Sequence, residues 1–200
     1  MKKPSLLLLL TLITLQLSFP ASAQKIHYGL KAELNMFNVE GKGISASYNP
    51  GGRLGVFAIY DFARHWGIQP ELLVTQAVAK RGDNFSTYYV NGSNPDAKKN
   101  AKLSYITIPI LFRYNLNEQF TFNAGPQYSL LFYDNENFVR NNRSAFKRND
   151  VGIVAGVTFN LDNVHFSGRY VYGFSDVNNI DDRYEWKTRQ IQLGVGVTLR

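Results

Sequence analysis

Cysteine is absent from this chain of 200 residues, which excludes a disulfide framework, a thiolate metal site and a lipid-modified N-terminal cysteine. Histidine is scarce: His27, His65 and His165 stand far apart and show no metal-ligand spacing, so no metal or other cofactor is implied. Ser167 lies near His165, but no nucleophile motif surrounds the pair, and the chain is not expected to be an enzyme. Lys and Arg outnumber Asp and Glu by 22 to 15, yet no basic cluster stands behind the surplus, which argues against a nucleic-acid partner. Beyond Gln24 there is no apolar run long enough for a membrane helix.

The one long apolar run stands at the N-terminus. Lys2 and Lys3 precede an apolar stretch from Leu6 to Leu17, and the small-residue site Ala21-Ser22-Ala23 follows. This is the tripartite pattern of a secretory signal peptide over residues 1–23, which leaves a mature domain of residues 24–200. Removing Lys2 and Lys3 takes the formal net charge from +7 to +5.

What fills the mature chain is alternation with period 2, the mark of strands with two unlike faces. In the last segment Ile191, Leu193, Val195, Val197 and Leu199 share one face, and Gln190, Gln192, Gly194, Gly196 and Thr198 share the other. Seven earlier segments repeat the pattern, from Tyr28, Leu30, Ala32, Leu34 and Met36 onward. Tight turns at 61–65, 115–118 and 160–163 alternate with longer polar links at 38–51, about 80–101, 133–147 and 175–187. The expected fold is all-β, an eight-stranded antiparallel up-and-down transmembrane β-barrel. A soluble lipocalin-like ligand-binding barrel has the same strand count but the opposite polarity of faces. Small residues crowd the polar face (Gly29, Gly55, Gly125, Gly156, Gly194), as a tight interior needs and a solvated surface does not. Rings collect near the strand ends of the apolar face (Tyr28, Tyr60, Trp66, Tyr114, Phe132, Phe174), where headgroup-level girdles belong.

Several stretches together resemble the small outer-membrane β-barrel family often called porin-family or PorT-like. They are "YGLKAELNMFNVEG", "QPELLVTQ", "LSYITIPILFRY", "FNAGPQYSLLF", "VGIVAGVTF", "GRYVYGFSDV" and "RQIQLGVGVTL", in that order along nearly the whole mature chain. The resemblance implies a barrel in the outer membrane of a Gram-negative-type bacterium, and with it outer-membrane lipid and the barrel-assembly machinery as partners. It departs from many such barrels at its end, where Arg200 follows Leu199 in place of a terminal aromatic.

The polar face carries Lys31, Glu33, Arg53, Glu71, Arg113 and Arg169, which are expected to pair inside the barrel as an ionic plug, because isolated buried charges are costly. The alternative use of the same charges is the lining of a narrow porin for ions or small solutes. The longest loop opens with Arg81-Gly82-Asp83 and carries Tyr88 and Tyr89, a candidate contact for a surface ligand, with extension of the barrel wall as the competing role for the tyrosines. The three histidines fall at the periplasmic rim. Pro109, Pro70 and Pro126 are expected to bring a bulge or a break in the ladder, since proline has no N–H to donate. The expectation is a monomeric, non-enzymatic barrel with a plugged interior. It would act through surface loops or an envelope protein partner in adhesion, envelope integrity or secretion assembly.

Overall fold

The computed structural model describes residues 26–90, 92–140 and 143–199, so the expected signal peptide lies outside the described residues. Eight antiparallel strands follow one another as β1 (Ile26–Glu40), β2 (Asn49–Asp61), β3 (Trp66–Lys80), β4 (Asn100–Asn115), β5 (Phe120–Asn135), β6 (Asn149–Leu161), β7 (Val164–Gly173) and β8 (Lys187–Leu199). Each pairs with its neighbours in sequence, and β1 pairs with β8 from Tyr28 opposite Leu199 to Glu40 opposite Lys187, which closes the barrel. A single turn of helix, α1 (Phe85–Tyr88), interrupts the second long loop. No helix among the described residues is long and apolar enough to cross a membrane.

The strands are longer than the alternating segments suggested. β4 and β5 have 16 residues each, whereas a tilted strand crosses a bilayer in about 9–11. The excess lies at the end with the long loops, so the expected loops at 38–51 and 133–147 shorten to 41–48 and 136–148. The barrel wall therefore rises above the apolar band before the chain leaves it.

Side chains alternate across this wall as the sequence pattern requires. Leu34, Leu54, Val74 and Leu193 point outward and are between 57 and 66 % exposed, while their chain neighbours Glu33, Arg53, Thr75 and Gln192 are buried inside. An apolar outside around a polar inside is the polarity of a membrane barrel and excludes the lipocalin-like alternative. Rings stack in pairs at the turn end, with Trp66 and Tyr114 centroids 4.9 Å apart and Phe120 and Phe159 5.3 Å apart. Tyr172 and Phe174, 5.6 Å apart, stand at the loop end. The interior is not wholly polar: Phe57, Ile59, Leu73, Leu111, Val154 and Val171 are buried among the polar groups.

Proline shapes the ladder by omission. The β3–β4 register runs to Pro70 opposite Ile110 and resumes at Leu73 opposite Thr107, so Pro109 has no partner on that side. The β4–β5 register skips from Pro109 opposite Gln127 to Phe112 opposite Ala124, which leaves Pro126 unpaired there, and β2–β3 skips the position of Pro70. On its other flank Pro126 pairs normally, opposite Ile153. The breaks are as expected, but none carries a bulge. The register shift in this region falls instead at Ser104 and Tyr105, where Phe132 is the extra residue of β5 and both Phe132 and Tyr133 face outward.

At the loop end the barrel holds a second, apolar core. Phe85, Tyr89, Phe138, Phe146 and Trp186 come from three loops and pack on Phe37, Leu103, Tyr105 and Leu131 of the strands. Single bridges tie the loops in a circle: Ile44 to Arg81, Ser93 to Val139, and Phe146 to Asn178. Trp186 Nε1 donates to Lys42 O at 3.1 Å and so joins the last loop to the first. Trp186 is fully buried, and truncating such a ring typically costs about 3–5 kcal/mol. Trp186→Ala should make the loops sensitive to limited proteolysis while the strands stay protected and the barrel keeps its heat-dependent gel shift; simultaneous loss of both protections would mean that cap and barrel are one unit.

Candidate functional site

Glu33 on β1 and Glu71 on β3 are the acidic centre of the barrel interior. Lys31 Nζ lies 2.9 Å from Glu33 and 3.2 Å from Glu71, so one ammonium spans both. Arg169 on β7 crosses the lumen to Glu71 at 2.9 Å through Nη2 and donates from Nη1 to the other oxygen at 3.0 Å. Arg53 sits 3.3 Å from Glu33, and its Nε donates to Thr75 Oγ1 at 3.1 Å. Gln69 Nε2 donates to Glu71 Oε1 at 2.7 Å. A chain of hydroxyls extends the layer from Thr75 to Thr107 (3.0 Å) and on to Ser129 (3.3 Å).

Glycine on β6 and β8 makes room for these long side chains. A Cβ at Gly194 would stand 2.6 Å from Glu33 Cγ, and one at Gly156 would stand 2.6 Å from Arg169 Cγ. Five of the six interior charges singled out in the sequence thus meet in one cluster across β1, β2, β3 and β7. The sixth, Arg113, is buried on β4 opposite Gly67 and Asn123, nearer the turns, and makes no ion pair with the two glutamates.

Below this layer the lumen widens into a vestibule of about 910 Å³ that opens at the turn end. All three histidines line it, together with Arg113, Asn160 and Thr198. His165 is held at both ring nitrogens, with Nδ1 2.9 Å from Asn160 Oδ1 and Nε2 2.6 Å from Thr198 Oγ1. With Nδ1 protonated, Nε2 accepts the Thr198 hydroxyl proton. The expected neighbour Ser167 makes no hydrogen bond to the ring; its Oγ has no partner among the described residues. Among the described residues no group of three or more His, Asp or Glu could hold a metal ion.

Above the layer stands the loop core, and here the first expected contact residues have internal duties. Arg81 Nη1 donates to Asn94 O at 2.8 Å, and Nη2 donates to the hydroxyls of Ser86 and Ser93 at 2.8 and 2.9 Å. Its guanidinium also lies 4.8 Å from the Phe85 ring centroid. Gly82 N donates to Gly43 O at 2.8 Å. Only Asp83 of this tripeptide is well exposed, beside Lys99 at 3.5 Å. Tyr89 is buried, its hydroxyl donating to Lys42 O while accepting from Trp186 Nε1 at 3.1 Å. Tyr88 is half-buried and packs edge-on against Tyr184. The tyrosines belong to α1 and the loop core, not to a hairpin that prolongs the wall. Phe138, Phe146, Asn178 and Trp186 complete the core; sequence reasoning missed Phe85, Phe146, Asn178 and Trp186 because separate loops supply them without a common period.

Comparison with known proteins follows this geometry. Residues 16–179 match the family model described as an outer membrane protein beta-barrel domain. The structure is similar to Neisserial surface protein A, with a TM-score of 0.56, 15 % identity, and coverage of 86 % of this chain and 97 % of that one. It is also similar to Ail, the attachment invasion locus protein of Yersinia pestis, in complex with the heparin analogue sucrose octasulfate. There the TM-score is 0.51 with 14 % identity, covering 88 % of this chain and 99 % of that one. At such identities the likeness concerns the fold. No curated protein matches the sequence.

Two expectations follow from the site. Removing one member of a buried ion pair costs about 3–5 kcal/mol because the partner charge stays behind; Glu71→Ala takes from Arg169 its two close carboxylate contacts and leaves Lys31, Arg53 and Arg169 to share Glu33 alone. The variant should unfold at clearly lower urea concentration than the wild type, and an unchanged midpoint would show that the cluster does not support the barrel. In the cap, burial pushes the Tyr89 phenol up to about 12. A raised acid favours the neutral, closed state, so this stability is complete below the ordinary phenol value near 10 and is lost as pH rises from there through 12. Trp186 fluorescence, read with Trp66 replaced by Phe, should shift to the red across that window, and Tyr89→Phe should remove the Tyr89-dependent part of the shift.

Proposed function

The chain belongs to the family of outer-membrane β-barrel domain proteins and resides in the outer membrane; from that premise we propose that it is a closed, non-enzymatic barrel whose working surface is its outer cap. The observation that carries this reading is a lumen obstructed twice. The ionic layer fills the middle with side chains that are almost wholly buried, and the loop core fills the outer end with rings. Eight strands leave an interior just wide enough for side chains to occupy. A pathway for solutes would have to displace both obstructions, and opening the first would separate charges already removed from water.

The outer cap offers a folded platform where a flexible loop would offer none. Its buried residues tie the loops to one another, while Lys42, Lys98, Lys99, Arg140 and Arg143 stay exposed around it. A fixed surface binds without the ordering cost that mobile loops incur. This supports a role in adhesion, envelope integrity or secretion assembly, with a partner outside the membrane or within the envelope. The protein would be exported by its N-terminal signal, inserted by the barrel-assembly machinery, and active as a monomer. Thr198, His165 and Asn160 are hydrogen-bonded in sequence, and we assign them to shaping the vestibule wall rather than to catalysis.

A narrow porin is the competing reading, and planar-bilayer recording of the purified wild type separates the two. No resolved conductance steps are expected, and Glu71→Ala together with Trp186→Ala should be needed before steps appear. Well-resolved steps from the wild type would overturn the closed reading in favour of the porin.

A further inference from the structure

The ionic layer is not neutral. Lys31, Arg53 and Arg169 already share the two carboxylates of Glu33 and Glu71, and Arg113 adds a fourth buried cation at 6 % exposure. Neither Nε nor Nη1 of Arg113 has a hydrogen-bond acceptor among the described residues. Two buried guanidinium donors without an acceptor are a costly arrangement in a protein interior. Arg113 lines both the vestibule and the small closed void above it, where Lys31, Gln69 and Arg169 also reach, so it forms the vestibule floor. The acidic residues on the vestibule wall, Asp61, Glu118 and Asp162, are exposed at its mouth; Asp61 attracts Arg113 from there but forms no ion pair with it among the described residues. Water at the mouth screens them, whereas a cation at the bottom of a low-dielectric well projects its field outward along the opening.

We infer that this vestibule is an anion-binding site in which Arg113 receives a carboxylate or phosphate group presented from the periplasmic side. The vestibule, at about 910 Å³, is far larger than one such group and lies within the range of small-molecule sites. The anionic group is therefore the charged end of a larger ligand, whose body occupies the rest of the vestibule between Ile59, Leu116 and Gln119. The site lies on the opposite side of the ionic layer from the cap, so it acts independently of whatever the cap binds.

The test uses the folded, full mature barrel in uncharged detergent, in low-salt buffer free of oxyanions. Inorganic phosphate and acetate are titrated separately while arginine Nε–H and backbone amide resonances are followed. The expected result is a saturable shift confined to the vestibule, at Arg113, Gly67, Asn115 and Asn160, with the probe that saturates first naming the preferred group. The same probe should raise the thermal midpoint of the wild type. Arg113→Gln should lose both effects, and in oxyanion-free buffer it should melt no lower than the wild type because an unpaired cation has been removed. Should that variant fail to fold, the site-confined saturation of the wild type decides alone. Shifts that never saturate, that spread to the cap, or that persist unchanged in Arg113→Gln would overturn the assignment.

Discussion

In a bilayer core, where water supplies no hydrogen bonds, each backbone N–H and C=O must find its partner within the protein, and from that requirement the other features follow. The pairing of β1 with β8 removes the two free edges that an eight-stranded meander would otherwise present to lipid. Closure at eight strands in turn sets a bore that only side chains can fill. It also restricts where proline is tolerated. Pro70, Pro109 and Pro126 lie close together across β3, β4 and β5, so their missing donors fall in one patch of weakened ladder instead of three.

Within this closed wall the lumen is graded along its axis. Histidines and exposed carboxylates stand at the turn end, a buried ionic cluster occupies the middle, and rings fill the loop end. The two obstructions differ in kind. The ionic layer is specific but costly, since its charges have left water and depend on close contact to offset that loss. The ring core draws on burial of apolar surface and tolerates rearrangement better. Glu71, which Lys31, Arg169 and Gln69 all meet, couples three strands, β1, β3 and β7, that are not all neighbours in the sheet. The cluster therefore braces the barrel across its bore, where the backbone ladder braces it only around its circumference.

The wall was legible from sequence because a strand's two faces repeat every two residues, so Leu193 and Gln192 declare their sides without reference to anything distant. The interior charges were legible for the same reason: Lys31 and Glu33 could only point inward once Leu30 and Leu34 pointed out. Which charge meets which was hidden, because Arg169 and Glu71 are brought together by closure across 98 positions of chain. Arg113 shows this limit from the other side, since its inward direction could be read but its lack of an ion pair among the described residues could not. The cap was the least legible part. Phe85, Phe146 and Trp186 lie in segments rich in Asn, Asp and Ser, with no periodicity to mark them as core. The two residues in that region that looked most like ligands, Arg81 and Tyr89, turn inward to satisfy oxygens of the loops themselves.

The circle of ties among the loops separates positions that hold the cap from positions that merely decorate it. Trp186, Tyr89, Phe138 and Asn178 carry the frame, whereas Lys98, Lys99, Asp182 and Glu185 stand on its outside. This layout lets the decorating positions drift in charge and size while the frame, and the barrel beneath it, stay the same.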